Sequence, residues 1–409
     1  MAAMALGWAL ASGAALSQTP ARAPAEQPLT LKALFDQAWA RQPEAQSATL
    51  RREAAQAARN GASSWTADPV ALELSTKTDR PGSNQGNREY EVGVAMPLWL
   101  PGERARKAAL GDAEMRAVDS RRRAAQLQLA STVREAWWAL QRAQTEHGLA
   151  QDRLLNARRL AADVARRVRA GDMARADQFQ ADGAVAQAEA ALAEATGARD
   201  VAQAALVAWG GNRPLADAAE PEAEALPAAG LPADHPAVAD WQDQAELARR
   251  AADLAAVQTR ANPELTVAAT RAREQSGERY LQSLTVGVRV PLGGGDRSRA
   301  KELAARADAL DAELRAGVER NRLAAEVAAA SARVRATQAQ REAVARHAAL
   351  ARDTRGFIDK AFRLGEADLP TRLRVELDAV QAERQLALAR IDAAAAVSTL
   401  RQALGLLPQ

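Results

Sequence analysis

The sequence predicts a mainly α-helical chain with a small β part of membrane-crossing length, the whole built as a tandem duplication. Three observations carry that prediction. Long stretches without proline show helical periodicity, above all 103–170 and 296–364. Two short stretches, 67–98 and 261–292, switch to period-two alternation of apolar with small or polar residues. The halves also align: Pro263 follows Pro69 by 194 residues, and the same offset relates Val94 to Val288, Pro97 to Pro291, Arg169 to Arg363, Gly171 to Gly365 and Gly211 to Gly405.

Composition excludes several classes. Lys plus Arg number 54 against 51 acids, an excess of 3, too small to suggest nucleic acid as a partner. Apolar residues make up 48% but aromatics only 3%, as alanine-rich, closely packed long helices require. With no cysteine, disulfides, thiolate metal sites and a lipidated N-terminal cysteine are excluded together. His147, His235 and His347 lie far apart without metal-ligand spacing and read as ordinary surface or packing residues. Gly293-Gly294-Gly295 lacks the Lys-Ser/Thr ending of a phosphate loop, and no paired-carboxylate or nucleophile constellation stands out. Neither an enzyme nor a cofactor is expected.

Residues 1–23 read as a secretory signal. Met1 to Leu16 are uncharged and largely apolar, with small residues at Ala14, Ala15 and Ser17, although a basic n-region is missing. The first repeat spans 24–213. Its first helix, within 29–59 and broken or started near Pro43, puts Leu31, Leu34, Phe35 and Ala38 on one face. After the β-hairpin 67–98 comes a helix over 103–170, striped by Leu129, Val133, Trp137 and Leu140 and about 100 Å long at ~1.5 Å per residue. Gly171-Asp172 ends it and a return helix covers 174–209. Residues 214–235 form a linker. The second repeat, 236–409, has a helix to Arg260, the β-hairpin 261–292, a long helix over 296–364, a turn at Gly365-Glu366 and a return helix over 369–404.

Each predicted strand approaches the ~9–11 residues that cross a bilayer as a tilted β-strand. Four strands cannot close a barrel, and lipid does not tolerate open edges, so other copies of the chain must complete the sheet. Two copies give eight strands and a filled interior, whereas a homotrimer gives twelve and a passage. Trp65 and Trp99 flank the first hairpin at one end, and Tyr90 and Tyr280 sit toward the other, as residues at membrane interfaces against outer-membrane lipid would.

These features converge on a family. The duplicated unit, the strand endings Val94-Ala95-Met96-Pro97-Leu98 and Val288-Arg289-Val290-Pro291-Leu292, the turns Arg167-Val168-Arg169-Ala170-Gly171 and Ala361-Phe362-Arg363-Leu364-Gly365, and the closing Leu400-Arg401-Gln402-Ala403-Leu404-Gly405 resemble the TolC-like outer-membrane efflux family over nearly all of the mature chain. The resemblance implies a trimeric, twelve-stranded β-barrel in the outer membrane of a Gram-negative bacterium, continued across the periplasm by a long α-helical barrel. It also implies a periplasmic adaptor (membrane fusion) protein and an inner-membrane pump of RND type as partners. The tips docking on the adaptor would be the turns at Gly171 and Gly365, with Arg169 and Arg363 beside them. Asp172, Asp177, Glu366 and Asp368 would form acidic rings in a trimer and favour cations at a constriction. Phe362 matches an aromatic gate position, and Arg169 and Arg363 are expected partners for the tip acids. Where the family carries acids six and nine residues beyond the second glycine, this sequence has Thr371 and Arg374. The phrase Pro97-Leu98-Trp99-Leu100-Pro101-Gly102-Glu103-Arg104 resembles the hairpin exit of the heavy-metal branch, so divalent metal cations are the expected cargo. Multidrug efflux and type I protein secretion are the alternatives within this architecture; a soluble coiled-coil scaffold is the alternative outside it.

Overall fold

The computed structural model of the chain describes residues 29–210, 224–227, 230 and 232–409. The expected signal at 1–23 and most of the expected linker lie outside the described residues. The elements in chain order are α1 (Leu31–Ala40), α2 (Pro43–Ser63), β1 (Ala71–Thr78), β2 (Arg88–Pro97), α3 (Glu103–Ala170), α4 (Arg175–Ala208), α5 (Pro236–Val257), β3 (Glu264–Arg273), β4 (Leu281–Arg289), α6 (Gly295–Leu364) and α7 (Leu369–Ala403). The fold is mainly helical, with one four-stranded antiparallel sheet in the order β1-β2-β3-β4.

The first helical stretch is two helices. Thr30 opens α1 by accepting the Ala33 amide on its hydroxyl at 3.2 Å. Pro43 then forces the break, because the residue before a proline is pushed out of the helical region, and Gln42 is extended at φ −71° and ψ 138°. In the second repeat Pro236 stands at the start of the helix, where its missing amide costs nothing, and α5 runs unbroken.

The helices α3 and α6 have 68 and 70 residues, about 100 Å each. In α4 the buried residues Ala181, Ala188 and Ala195 recur every seventh position. Small side chains at that period let α4 lie close along α3 with left-handed winding. The largest core cluster packs Leu34, Phe35, Val133, Trp137, Leu140, Leu206 and Ile391 where α1, α3, α4 and α7 meet.

Two features depart from the sequence reading. Leu72 stands opposite Val94, whereas Leu265 stands opposite Val288, so the first strands of the two repeats correspond at an offset of 193, not 194. A one-residue shift exchanges the faces of a strand, so placing Pro69 on Pro263 assigns β1 the wrong face. The expected linker is also not simply a tether. The Glu224 carboxylate is only 5% exposed and accepts from Arg134 (2.9 Å), Arg401 (3.1 Å) and the Ser398 hydroxyl (2.5 Å), which fastens the junction of the repeats to α3 and α7.

Candidate functional site

Register assigns the sheet two chemically distinct faces. Leu72, Val94, Val267 and Val286 stand in line across all four strands, as do Leu74, Val92, Ala269 and Leu284. Residues opposed across strands share a face and neighbours along a strand alternate. One face is therefore a continuous apolar band. The other presents Glu73, Ser75 and Lys77 on β1, Glu89, Glu91 and Gly93 on β2, Thr266 and Thr270 on β3, and Ser283, Thr285 and Gly287 on β4. Among the described residues no helix packs extensively over the sheet. Leu74 and Leu284 are each 70% exposed, and Leu72 67%. A contiguous apolar surface of this kind marks an interface with lipid or protein. The outer edges of β1 and β4 are unpaired among the described residues.

Aromatic side chains sit at both ends of this band. Trp65 is 69% exposed. Trp99 is half-buried, donating its indole N–H to the Ser64 carbonyl at 3.1 Å, with the Lys107 ammonium 5.1 Å from its ring. At the loop end Tyr90 and Tyr280 have ring centroids 6.3 Å apart.

The other candidate region is the far end of the helices. Gly171 and Gly365 adopt φ +86° and +82°, conformations that cost side-chain-bearing residues energy. Asp172 and Glu366 donate their amides to the Arg167 and Ala361 carbonyls, both at 2.9 Å, closing each long helix with the same six-residue bond. Two expected acids have local tasks. Asp177 accepts the Ala174 amide at 3.0 Å, and Asp368 accepts the Thr371 amide at 3.0 Å, capping α4 and α7. The Thr371 hydroxyl and amide hold the Asp368 carboxyl below its ordinary range. Asp172 and Glu366 are exposed.

The tip corrects two expectations. Phe362 is 3% exposed and packs with Leu160, Val164, Ala181 and Leu369, between the guanidinium groups of Arg167 at 4.9 Å and Arg372 at 4.7 Å. A ring so enclosed fastens the two helical hairpins to each other and does not project into a passage. Nor do the arginines pair with the tip acids. Arg363 binds Asp359 at 2.6 Å one turn back, and Arg169 donates to the Ala165 carbonyl at 3.2 Å. The Asp359 carboxylate also receives Arg372 at 2.7 Å, which joins α6 to α7. Sequence reading missed this contact: the four-residue spacing of Asp359 and Arg363 is visible on a helix, but nothing local links Asp359 to Arg372. Among the described residues there is no cluster of three or more metal-ligating side chains.

Comparison with known proteins agrees with this architecture. Residues 34–212 match the family model described as outer membrane efflux protein. Over 232 residues the chain is 30% identical to the cobalt-zinc-cadmium resistance protein CzcC of Cupriavidus metallidurans. That alignment takes in 53% of each protein, so the chain matches about half the length of this relative. In fold it is similar to the outer membrane protein VceC from Vibrio cholerae, with a TM-score of 0.73 at 19% identity over 92% of this chain and 96% of VceC. It is similar also to CusC, described in terms of transmembrane channel formation, with a TM-score of 0.75 at 18% identity over 92% of each chain.

Proposed function

We propose, from the match of residues 34–212 to the outer membrane efflux protein model and the similarity to CzcC, that the chain is a member of that family and the exit duct of a tripartite exporter. In this reading three copies close their sheets edge to edge into a barrel, with the apolar band toward lipid and the Glu73, Thr270 and Thr285 face toward the passage. The observation that carries it is the exposed apolar band on a sheet with both edges open, since neither is tolerated except where lipid and further strands cover them. A soluble coiled-coil scaffold gives no account of that band.

The paired helices extend the passage away from the membrane into the periplasm. Their ends at Gly171 and Gly365 dock on a periplasmic adaptor, which couples the duct to an inner-membrane pump of RND type. Arg169 and Arg363 are exposed beside these turns and available to that partner. Asp172 and Glu366 are the acids best placed to ring the opening, since Asp177 and Asp368 are engaged as helix caps. The cargo is divalent metal cations, supported by the similarity to CzcC. The pump supplies the energy and the duct a passive route, so no residue needs a catalytic role.

The purified protein should run in detergent near three times the chain mass of 43.4 kDa. It should also remain with outer membranes after a high-salt wash. Recovery as a soluble monomer would refute the duct. A deletion strain sensitised to zinc, cobalt or cadmium but not to dyes and antibiotics would support the metal cargo, and the reverse pattern would assign it to drug efflux.

A further inference from the structure

At its loop end the apolar face of the sheet changes character. Beyond Val92 and Ala269 the same face carries Tyr90 and Arg88 on β2 and Arg271 and Arg273 on β3. Arg88 stands directly opposite Arg273, and like charges at opposed positions destabilise a strand pair. Among the described residues no carboxylate forms an ion pair with Arg88, Arg271 or Arg273. Glu89 and Glu91 alternate onto the opposite face. Two of the three loop acids nearby have local tasks: Asp79 accepts from the Gln85 and Gly86 amides at 2.5 and 3.1 Å and from the Ser83 hydroxyl at 3.2 Å, and Glu278 accepts from the Gln275 amide at 3.1 Å, while Glu274 is exposed and forms no ion pair with these arginines.

Two of the arginines are also held in place. The Tyr280 ring lies 4.6 Å from the Arg271 guanidinium and 5.1 Å from that of Arg273, and Arg273 donates its Nε–H to the Gly86 carbonyl at 3.2 Å. That bond leaves the terminal nitrogens of Arg273 free to bind outward. Arg271 and Arg273, so held, together with Arg88 opposite Arg273, form an unneutralised site for a multiply charged oxyanion, which their planar forks match. The site continues directly into the apolar band.

We propose that this patch binds the phosphate groups of an anionic glycolipid of the outer leaflet, whose acyl chains lie along Leu74, Val92 and Leu284. The proposal rests on the reading of the sheet as membrane-spanning, which places the loop end at the outer surface. Its test is binding of bisphosphorylated lipid A to the full chain in detergent, counted by native mass spectrometry, against lipid A stripped of both phosphates. The unmodified protein should bind the phosphorylated form at least tenfold more tightly. The combined variant R88Q/R271Q/R273Q should lose that preference, and R289Q, which removes an arginine paired with Glu264 at 3.6 Å at the other end of the sheet, should keep it. Equal binding of both lipids by the unmodified protein overturns the proposal whether or not the variant folds, as does a triple variant that keeps the preference. A protein that inserts into phosphatidylethanolamine vesicles yet shows no preference for phosphate overturns this proposal alone. One that enters no vesicle overturns the membrane reading with it.

Discussion

Replacing Glu224 by alanine should unfasten the junction between the repeats. Both sides of this ion pair are nearly closed to water, with side chains of Arg134 4% and Glu224 5% exposed, and Arg401 is 4% exposed. Removing one partner of a buried pair costs about 3–5 kcal/mol, because a charge is left without its counter-ion. The lower end applies here. Arg134 keeps hydrogen bonds to Gln402 Oε1 at 2.6 Å and the Leu406 carbonyl at 3.0 Å, so its desolvation is partly offset. With an unfolding entropy of about 2.1 cal/mol/K per residue, the 409 residues give roughly 0.9 kcal/mol/K. A loss of about 3 kcal/mol then lowers Tm by about 3–4 °C. The assay is far-UV circular dichroism at one heating rate in detergent, with limited proteolysis to detect release of the segment around 224. Glu224→Gln should fall between, since its amide can accept from one guanidinium but turns donors toward the other. A Tm change under about 1 °C for Glu224→Ala would refute the argument that this network holds the repeats together.

Other outcomes follow from particular side chains. Burial holds the His235 imidazole below its ordinary value of 6.5, against the Ala403 carbonyl and Asp234, which favour its proton. The unfolded chain therefore takes up a proton near pH 6.5 that the folded chain refuses, so His235 supports stability fully above that pH and less as pH falls through it toward the lowered folded value. His235→Gln should narrow the difference in Tm between pH 7.5 and 5.5, and an unchanged difference would contradict this. Phe362→Ala should cost about 3–5 kcal/mol of local packing, seen as faster amide exchange in 160–164 and at the start of α7. Altered conductance without faster exchange would restore the gate reading. Gly171→Ala and Gly365→Ala meet no atom within 4 Å, so each should cost only the ~1–2 kcal/mol of left-handed strain in thermal melts. If the bare turns dock on an adaptor, export should fall much further than stability.

How legible the molecule was depends on the range of the interaction. Helix ends follow local rules: Pro43 splits α1 from α2, and Gly171 and Gly365 end α3 and α6 with left-handed caps that almost any sequence reading would place there. The period-two strands follow from the alternation of side chains. Register was not legible in the same way. The offset of 194 holds at Val94 and Val288 but not at Leu72 and Leu265, because the second hairpin is one residue longer between these paired positions than the first, which only pairing reveals. The tip residues were located correctly in the chain but their partners were not. Arg363 chose the acid one turn back on its own helix, and Phe362 turned inward, because the groups that enclose it come from other helices, Arg167 from α3 and Leu369 and Arg372 from α7. Glu224 was invisible for the same reason: in sequence it is one acid in an acidic, proline-containing stretch.

The most direct test of closure uses the absence of native cysteine. If each junction between copies repeats the β2–β3 pairing, where Glu91 faces Thr270, then Thr285 of one copy faces Lys77 of the next. Opposed residues have Cβ atoms about 4.5–5.5 Å apart, within reach of a disulfide after small adjustment. The variant carrying Lys77→Cys and Thr285→Cys, oxidised in outer membranes and run on a denaturing gel, should give a covalent species of three chains and nothing larger. Each single variant should remain monomeric. A double variant that stays monomeric, or stops at two chains under complete oxidation, would contradict a barrel closed by three copies.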